Sequence, residues 1–423
     1  MNQINRCVWS LLALLASFSA LALDLGEPAE VHVIAERLDR IDGAIERAIE
    51  AGEIPGAVAL VARHGKIVYH RAFGNADVAS GKSMATDSIF RIASMTKAVT
   101  SVATMVLYEQ GRFQLSDPIS DYLPEFAEMR VISKMADDGT IAETVPATQP
   151  IRIIDLLTHT SGIGYAFIPG DLHKTYTEAG LIEGATGRNM VLEEQMKLLA
   201  KQPLAFEPGS KWQYGLNTDV LGYLIQKVSG QRLDEFFEQN ILGPLRMDDT
   251  YFYLPDDKRN RLVTLYAEIE GKGLVPSDGT EADIKLDDPN YPIKGARTYF
   301  SGGAGLSSTA SDYARFIQML LNEGELDGVR VLSRKSVELM RTARFDNTGD
   351  AVPDIGLGFN VVGDLGKYGE LGTSGTYSWG GAFNTRFWID PEEGMIAVFM
   401  SQVRPSTSNI ATTFNTLVYQ ALE

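Results

Sequence analysis

Strand patterns at both ends of the chain, separated by a long stretch of helical periodicity, constrain the fold more than any other feature of the sequence. Residues 56–72 alternate around a turn at His64-Gly65-Lys66, which predicts a β-hairpin. Residues 385–390 and 395–401 are apolar runs joined by a Pro-Glu-Glu-Gly turn, and they predict two more strands. Because helical patterns over 29–51 and 410–422 flank these strands, we predict an α+β fold whose antiparallel sheet takes strands from both ends of the chain.

The middle of the chain has a different pattern. Apolar residues recur at helical spacing in five windows, at 95–109, 192–200, 219–228, 233–241 and 311–322. Stretches rich in Gly and Pro separate these windows, which indicates a mostly helical lobe inserted at about 106–290. Residues 128–150 and 163–190 are polar, rich in Gly and weakly periodic, so we predict long loops there, of the kind that often carries function.

The first 22 residues have the features of a secretory signal peptide. Arg6 precedes an apolar run over 8–15, and small residues end the segment at Ala20-Leu21-Ala22. We predict cleavage after Ala22 and an exported protein, periplasmic or secreted, with one mature domain over 23–423. The apolar run is short for a bilayer span, although its single positive side chain leaves an uncleaved anchor as the alternative. Cys7, the one cysteine of the sequence, would be removed with this segment, which excludes disulfides and thiolate chemistry from the mature chain.

The net charge of −17 over 423 residues disfavours binding partners that are themselves negatively charged. Such an excess of carboxylates repels phosphate backbones and anionic lipid headgroups, so we predict no nucleic-acid partner and no stable membrane anchor. The composition does not fix the oligomeric state.

Ser94 and Lys97 stand three residues apart at the start of the helical window 95–109. This spacing puts both side chains on one face of a helix, close enough for the lysine amine to take the serine proton if the helix begins at the serine. A buried lysine loses its preference for the charged form, as a base at neutral pH must. The N–H groups at the helix start can stabilise an oxyanion. Taken alone the pattern is weak, because a serine near a lysine at a helix start also occurs by chance.

The rest of the sequence supplies the context that this pattern needs. In chain order it contains Phe90-Arg91-Ile92-Ala93-Ser94-Met95-Thr96-Lys97, Leu115-Ser116-Asp117-Pro118-Ile119, Leu156-Leu157-Thr158-His159-Thr160-Ser161-Gly162, Glu207-Pro208-Gly209-Ser210-Lys211-Trp212-Gln213-Tyr214, Ser301-Gly302-Gly303-Ala304-Gly305-Leu306-Ser307-Ser308, Trp379-Gly380-Gly381 and Trp388-Ile389-Asp390-Pro391. With these motifs in order over almost the whole mature chain, the sequence resembles the serine β-lactamase and penicillin-binding family. It is most similar to the class C-type branch, particularly the esterases called family VIII carboxylesterases.

The resemblance implies a β-lactamase/transpeptidase-like fold and three catalytic residues. By position, Ser94 is acylated, Lys97 accepts its proton, and Tyr214 relays a proton to the leaving group and to the deacylating water. The resemblance further implies an acyl-enzyme mechanism with neither cofactor nor metal. A tyrosine beside a lysine can act as a phenolate or a proton shuttle, and the alternative for Tyr214 is a core aromatic residue after a turn.

Two departures from the family pattern bear on the substrate. The β-lactamases carry an asparagine two residues after the tyrosine, where this chain has Leu216, and Asn217 would point elsewhere. The family's lysine-threonine-glycine beside the site is replaced by Trp379-Gly380-Gly381, so a cation for a substrate carboxylate is missing and an apolar, stacking surface stands there instead. We therefore predict a preference for short neutral esters. The residues predicted to contact the substrate are Trp379, Gly380, Gly381 and Ala382.

Other reaction classes have less support. No serine has glycine both two residues before and two residues after it, which excludes the nucleophile elbow of α/β-hydrolases. The five histidines lack paired ligand spacing, so we predict no metal site. For His159 we expect a hydrogen bond that fixes its loop, with the base of a Ser-His-Asp triad as the alternative. Gly302-Gly303-Ala304-Gly305 lacks the lysine of a phosphate-binding loop and predicts a structural turn.

Two alternative functions stay open at this point. A β-lactamase or D-aminoacyl peptidase (carboxypeptidase) shares the nucleophile but needs a cationic anchor where this chain has Trp379. A non-catalytic penicillin-recognising module would have no chemical need for Ser94, Lys97 and Tyr214 together. The sequence therefore favours a serine hydrolase, most of all a carboxylesterase, that acts on a small-molecule ester or amide.

Overall fold

The structure of the chain is a computed structural model. It describes residues 23–184, 186–277, 290–345 and 353–423, so the predicted signal peptide at 1–22 lies outside the described residues. Within these ranges no helix combines the length and the apolar character that a membrane crossing requires.

A nine-stranded sheet forms the centre of the described part of the molecule, and four two-stranded pairs lie around it. The strands are β1 (Asp24–Leu25), β2 (Gly56–Arg63), β3 (Lys66–Asp77), β4 (Lys82–Ser83), β5 (Phe90–Arg91), β6 (Arg130–Met135), β7 (Ile141–Pro146), β8 (Tyr266–Ile269), β9 (Gly273–Pro276), β10 (Ser307–Ser308), β11 (Glu325–Leu326), β12 (Val329–Arg330), β13 (Asp354–Ile355), β14 (Asn360–Val361), β15 (Tyr377–Gly381), β16 (Thr385–Asp390) and β17 (Met395–Met400).

The large sheet joins the two ends of the chain. Its order is β1-β3-β2-β17-β16-β15-β14-β13, with β4 paired to β3. The central neighbours β2 and β17 are antiparallel, with Val58 opposite Met400 and Arg63 opposite Met395. The short edge strand β1 runs parallel to β3, and the other neighbours are antiparallel. The predicted antiparallel sheet with strands from both ends is confirmed, apart from β1.

Helices cover both faces of this sheet and fill the middle of the chain. They are α1 (Ala35–Leu38), α2 (Arg40–Glu50), α3 (Thr96–Glu109), α4 (Ile153–Leu157), α5 (His173–Glu178), α6 (Leu192–Leu199), α7 (Asn217–Ser229), α8 (Leu233–Phe237), α9 (Ala310–Leu321), α10 (Arg334–Met340), α11 (Leu365–Tyr368) and α12 (Ile410–Tyr419). Helices α4 to α8 fall within the stretch predicted as an inserted lobe, and the limits of that lobe stay a prediction.

Alternation along β2 shows how the sheet is held between two cores. Val58 and Leu60 belong to the larger core, which includes apolar residues of α3, α7 and α9. Ala59 and Val61 point the other way, into a smaller core formed with α2 and α12. All four side chains are buried, because a strand covered on both faces has no side that tolerates polar residues. The larger core therefore fixes α3, which follows Ser94, on one face of the sheet.

The stretch 128–150 contradicts the predicted loop. It contains the hairpin of β6 and β7, paired from Arg130 with Pro146 to Met135 with Ile141. Most side chains of both strands are exposed or half-buried, and a strand without a buried face shows no apolar alternation that a sequence pattern could reveal. In 163–190 the described residues form one short helix, α5, and are otherwise irregular.

Two predicted helices are interrupted. The window 29–51 is a 3₁₀ turn at Pro28–Val31 followed by α1 and α2, with Asp39 between the two helices. Leu38 and Ile41 both point into the smaller core, so the apolar spacing continues across the break. The window 233–241 is α8 followed by a π-helical turn at Glu238–Leu242. Periodicity predicts which face is buried more reliably than it predicts continuous hydrogen bonding.

Candidate active site

Ser94 lies in a 3₁₀ turn, Ala93–Met95, that leads directly into α3. The α-helix itself begins at Thr96, so the serine precedes the helix instead of opening it. Ala93 has a φ of 41°, in the left-handed region that residues with a Cβ rarely adopt. Hydrogen bonds from Ile92 N–H to the Leu306 carbonyl and from Met95 N–H to the Ile92 carbonyl, both 3.0 Å, hold the strained residue from both sides. This turn presents Ser94 on the wall of a cavity.

Lys97 occupies the first turn of α3 and is 1% exposed. Its Nζ lies 3.2 Å from Ser94 Oγ, 2.7 Å from the carbonyl oxygen of Gly303 and 3.2 Å from Tyr165 Oη. These contacts place three oxygen atoms around the amine. The structure thus brings the predicted nucleophile and base together and fixes the amine beside the serine.

Tyr214 reaches Ser94 from the opposite side. It precedes α7, and its Oη donates a 2.7 Å hydrogen bond to Ser94 Oγ. Its ring centroid lies 4.7 Å from Lys97 Nζ and 5.0 Å from the ring of His159. Ser94 Oγ therefore lies between an amine and a phenol, both within reach of a proton transfer.

The predicted substrate-contacting segment, Trp379 to Ala382, lines the same cavity. The Trp379 ring on β15 stacks at 6.0 Å on the ring of His159 and lies 5.9 Å from that of Tyr214. A Cβ on Gly381 would clash with the carbonyl oxygen of Ile92, which directly precedes the nucleophile turn. The glycine thus allows β15 to approach the serine.

His159 has a structural role in the described part of the chain. Its Nδ1 lies 3.0 Å from Asn217 Nδ2, and Ser161 Oγ donates to Asn217 Oδ1. Asn217 therefore points at this loop. Burial and the charge of Lys97 hold the pKa of His159 well below its usual range, so the ring is neutral. With its hydrogen bond directed to Asn217 instead of Ser94, the triad alternative has no geometric support.

Tyr165 is a site residue that the sequence did not reveal. It lies in the irregular segment after α4, is 3% exposed, and makes the 3.2 Å contact with Lys97 Nζ. Its ring packs at 5.3 Å against Tyr214. Burial and then the neighbouring Tyr214 raise the pKa of Tyr165 well above its usual value, so it stays a neutral phenol. Its hydroxyl therefore helps to hold Lys97 in place.

The glycine-rich turn at 301–305 supplies the other partner of Lys97. Asp219, on α7 and fully buried, accepts a 2.6 Å hydrogen bond from Ser301 Oγ and a 3.4 Å bond from Gly303 N–H. A Cβ on Gly303 would clash with the Asp219 carboxylate. Burial raises the pKa of Asp219, against the lowering effects of Ser301 and Lys97. The predicted structural turn therefore carries the carbonyl that positions the base.

The cavity beside Ser94 has a volume of about 410 Å³. Six aromatic side chains line it, namely Tyr165, Phe167, Trp212, Tyr214, Trp379 and Phe383. Two charged side chains reach the same wall, Glu183 and Arg404, and neither was predicted. Arg404 Nη1 donates to the carbonyl of Ala382 at 3.4 Å, and its guanidinium lies 5.9 Å from the ring centroid of Phe167.

The arrangement has three parts of a covalent hydrolase: a serine, an adjacent amine and a phenol. Within the described ranges, no cluster of three or more His, Cys, Asp or Glu side chains is arranged to hold a metal ion. The chemistry that these residues can perform themselves is acyl transfer through Ser94.

Comparison with known proteins identifies the family of the chain. The chain matches the family model described as Beta-lactamase over residues 41–420. It is 31% identical to esterase EstB of Burkholderia gladioli, over 86% of this chain and 89% of EstB. It is 29% identical to the lovastatin esterase of Penicillium rubens, over 85% and 91% of the two chains. The solved structure of EstCE1, described as a hydrolase with promiscuous acyltransferase activity, covers 91% of this chain and 99% of its own at 28% identity and a TM-score of 0.79. The chain therefore belongs to the beta-lactamase family and is a serine hydrolase of the branch that contains these esterases.

Proposed function

We propose that the chain is a carboxylesterase that cleaves short neutral esters through an acyl-enzyme on Ser94. The observation that carries the proposal is the position of Ser94 Oγ, 3.2 Å from Lys97 Nζ and 2.7 Å from Tyr214 Oη, on the wall of an aromatic-lined cavity. The names of EstB, lovastatin esterase and EstCE1 support ester hydrolysis as the reaction class.

In acylation, Lys97 accepts the hydroxyl proton of Ser94 while Oγ attacks the ester carbonyl. The carbonyl oxygen becomes an oxyanion, which N–H groups at the start of the helical turn stabilise. When the C–O bond to the alcohol breaks, Tyr214 donates its proton to the departing alkoxide and recovers a proton from Lys97, whose Nζ lies 4.7 Å from its ring centroid. The products of this half are a free alcohol and an acyl group on Ser94.

In deacylation the same groups act in the reverse order. A water loses its proton to the Tyr214 and Lys97 pair as its oxygen attacks the acyl carbon, and the bond to Ser94 Oγ breaks as the proton returns to the serine. The products are a carboxylic acid and the resting enzyme. Tyr165 and the Gly303 carbonyl hold Lys97 in place throughout, at 3.2 and 2.7 Å.

The preference for neutral esters follows from the wall of the cavity. Trp379 stands where the β-lactamases carry a lysine, and a carboxylate that enters beside it loses hydration without gaining a matching charge. A missing charge-assisted hydrogen bond is worth about 1.5 to 3 kcal/mol, or about tenfold to a hundredfold in kcat/KM. Arg404 lies on the same wall but is engaged with the Ala382 carbonyl and the Phe167 ring.

The test compares kcat/KM for p-nitrophenyl butyrate and nitrocefin in the wild type, in Trp379→Lys and in Trp379→Phe as an aromatic control. We expect the wild type and the phenylalanine variant to favour the ester and the lysine variant to gain on the lactam. A wild type that is faster on nitrocefin would favour the β-lactamase alternative and would point to Arg404 as the anion anchor. Absence of turnover on either substrate would favour the non-catalytic module.

Export is a second part of the proposal, and it rests on the sequence of residues 1–22 alone. We expect the mature protein to begin at Leu23 and to be found outside the cytoplasm. Mass spectrometry of the natively expressed protein tests this, and an intact N-terminus would contradict it.

A further inference from the structure

Glu183 is the one acidic side chain among the described residues that line the cavity beside Ser94. Its carboxylate accepts hydrogen bonds from the backbone N–H groups of Ala166 and Phe167, the latter at 3.1 Å. Two carboxylate oxygens offer about four acceptor positions, so roughly half of this capacity remains for another donor. The side chain is half-buried and borders open space on the cavity side.

No lysine or arginine within the described ranges forms an ion pair with Glu183. The titratable groups that act on it are His173, whose Nδ1 contacts the Ala166 carbonyl, and the buried acid Asp219. Burial raises the pKa of Glu183 to about 7, and the two N–H donors and His173 only partly offset that effect. A carboxylate withdrawn from water without a cation is costly, and such groups concentrate at functional sites.

Aromatic side chains line the same space. Phe167 stacks on Tyr165 with 4.6 Å between ring centroids, and Trp212 stacks on Tyr214 at 6.3 Å. Each of these four residues lines the cavity with Glu183. The face of an aromatic ring is electron-rich and attracts a cation, most strongly where water is excluded. A carboxylate among aromatic rings is the chemistry that recognises a substituted ammonium group.

We propose that Glu183 binds a positively charged nitrogen of the substrate, so that the enzyme prefers esters carrying an ammonium group to neutral esters of the same shape. This inference rests on the proposed esterase activity and refines its substrate class. Neutral esters bind without an ionic contact to Glu183. A cationic group on the substrate adds an attraction to this carboxylate, and a carboxylate in the same position would be repelled by it. Arg404 also lines the cavity, and its guanidinium lies 5.9 Å from the ring centroid of Phe167.

The experiment uses two pairs of substrates in which a quaternary nitrogen replaces a carbon. Butyrylthiocholine and S-(3,3-dimethylbutyl) thiobutyrate differ in the leaving group, and p-nitrophenyl 4-(trimethylammonio)butanoate and p-nitrophenyl 5,5-dimethylhexanoate differ in the acyl group. The quantity measured, above the pKa of Glu183, is the ratio of kcat/KM for the cationic to the neutral member. In the wild type we expect a ratio of about ten or more in at least one pair.

Glu183→Gln should lower that ratio by about tenfold. Glutamine keeps an oxygen that can accept from Ala166 and Phe167, and a ratio cancels any general loss of activity. Glu178→Gln is the matched control, because it removes the same charge from an exposed position at the end of α5 and should keep the wild-type ratio. A wild-type ratio of one or less in both pairs, or an unchanged ratio in Glu183→Gln, would overturn the inference.

A measurement on the wild type alone tests the inference even if the Glu183→Gln variant does not fold. Tetramethylammonium should inhibit hydrolysis of p-nitrophenyl butyrate competitively, and neopentyl alcohol at the same concentration should not. Equal inhibition by both would overturn the inference. Failure of the proposed esterase function can be distinguished from failure of the Glu183 inference. In the first case the wild type would hydrolyse neither p-nitrophenyl butyrate nor any member of the two pairs.

Discussion

Replacement of Tyr214 by phenylalanine isolates the proton relay at the nucleophile. The ring is held by neighbours on several sides, at 5.0 Å from His159, 5.3 Å from Tyr165 and 5.9 Å from Trp379, so the variant should keep its packing. It loses only the hydroxyl that lies 2.7 Å from Ser94 Oγ. A positioned general acid or base is worth about 10²- to 10⁴-fold, or about 2.7 to 5.4 kcal/mol of transition-state stabilisation. We expect kcat to fall by at least two orders of magnitude.

The assay uses two butyrate esters with different leaving groups, p-nitrophenyl butyrate and ethyl butyrate. Ethoxide needs a proton to depart and p-nitrophenolate does not, so the loss in kcat/KM, which reports on steps up to acylation, should be larger for the ethyl ester. Tyr165→Phe is the matched control. Its hydroxyl contacts Lys97 at 3.2 Å, so its removal should slow both esters by a similar factor.

Two results would refute this assignment. A Tyr214→Phe enzyme with near-normal kcat would mean that another group transfers the proton. Equal losses on the two esters would mean that Tyr214 orients Ser94 without protonating the leaving group. In either case near-ultraviolet circular dichroism has to show that the aromatic cluster is intact.

Three further outcomes test the rest of the site. Ser94→Ala should abolish both turnover and labelling by a fluorophosphonate, and labelling that persists would move the nucleophile to another residue. Asp219→Asn should lower kcat by about tenfold with KM nearly unchanged, because Asp219 acts through Gly303 and Lys97; a change confined to KM would place it in substrate binding instead. In the folded state Glu183 keeps its proton up to its pKa of about 7, whereas in the unfolded chain it loses the proton near pH 4.5. The contribution of Glu183 to the free energy of unfolding therefore falls as the pH rises from 4.5 to 7. The melting temperature of Glu183→Gln relative to wild type should therefore increase between these pH values, and a constant difference would show that the pKa is not raised.

Local patterns predicted those parts of the fold that bury apolar side chains on at least one face. Helix α9 spans Ala310–Leu321 where apolar spacing indicated 311–322, since one side of it packs into the larger core. The hairpin of β6 and β7 was missed because neither strand has a continuous buried face. The spacing of apolar and polar residues reflects which side chains are buried. An element held mainly by its own backbone pairing therefore leaves little trace in the sequence.

The same dependence on local patterns explains which site residues the sequence predicted and which it missed. Ser94 and Lys97 stand three positions apart and form a pattern that can be recognised. Tyr165 is 68 positions from Lys97 and meets it only after the irregular segment behind α4 folds back over α3. Glu183 lies in a similar segment, and its importance comes from a cavity that exists only in the folded chain. Nothing in the local sequence distinguishes either residue from an ordinary loop residue.

The architecture separates the residues that react from those that select the substrate. Ser94 and Lys97 are fixed by the start of α3, whereas Trp379 projects from β15. Gly381 fixes the spacing between the two, because its backbone lies against the carbonyl of Ile92 and no side chain fits between them. A substitution at Trp379 can therefore change the charge and shape of the cavity without moving the serine, while a side chain at Gly381 must push the strand away from it. We accordingly expect changes of substrate to be tolerated at Trp379, and changes at Gly381 to cost activity on every ester.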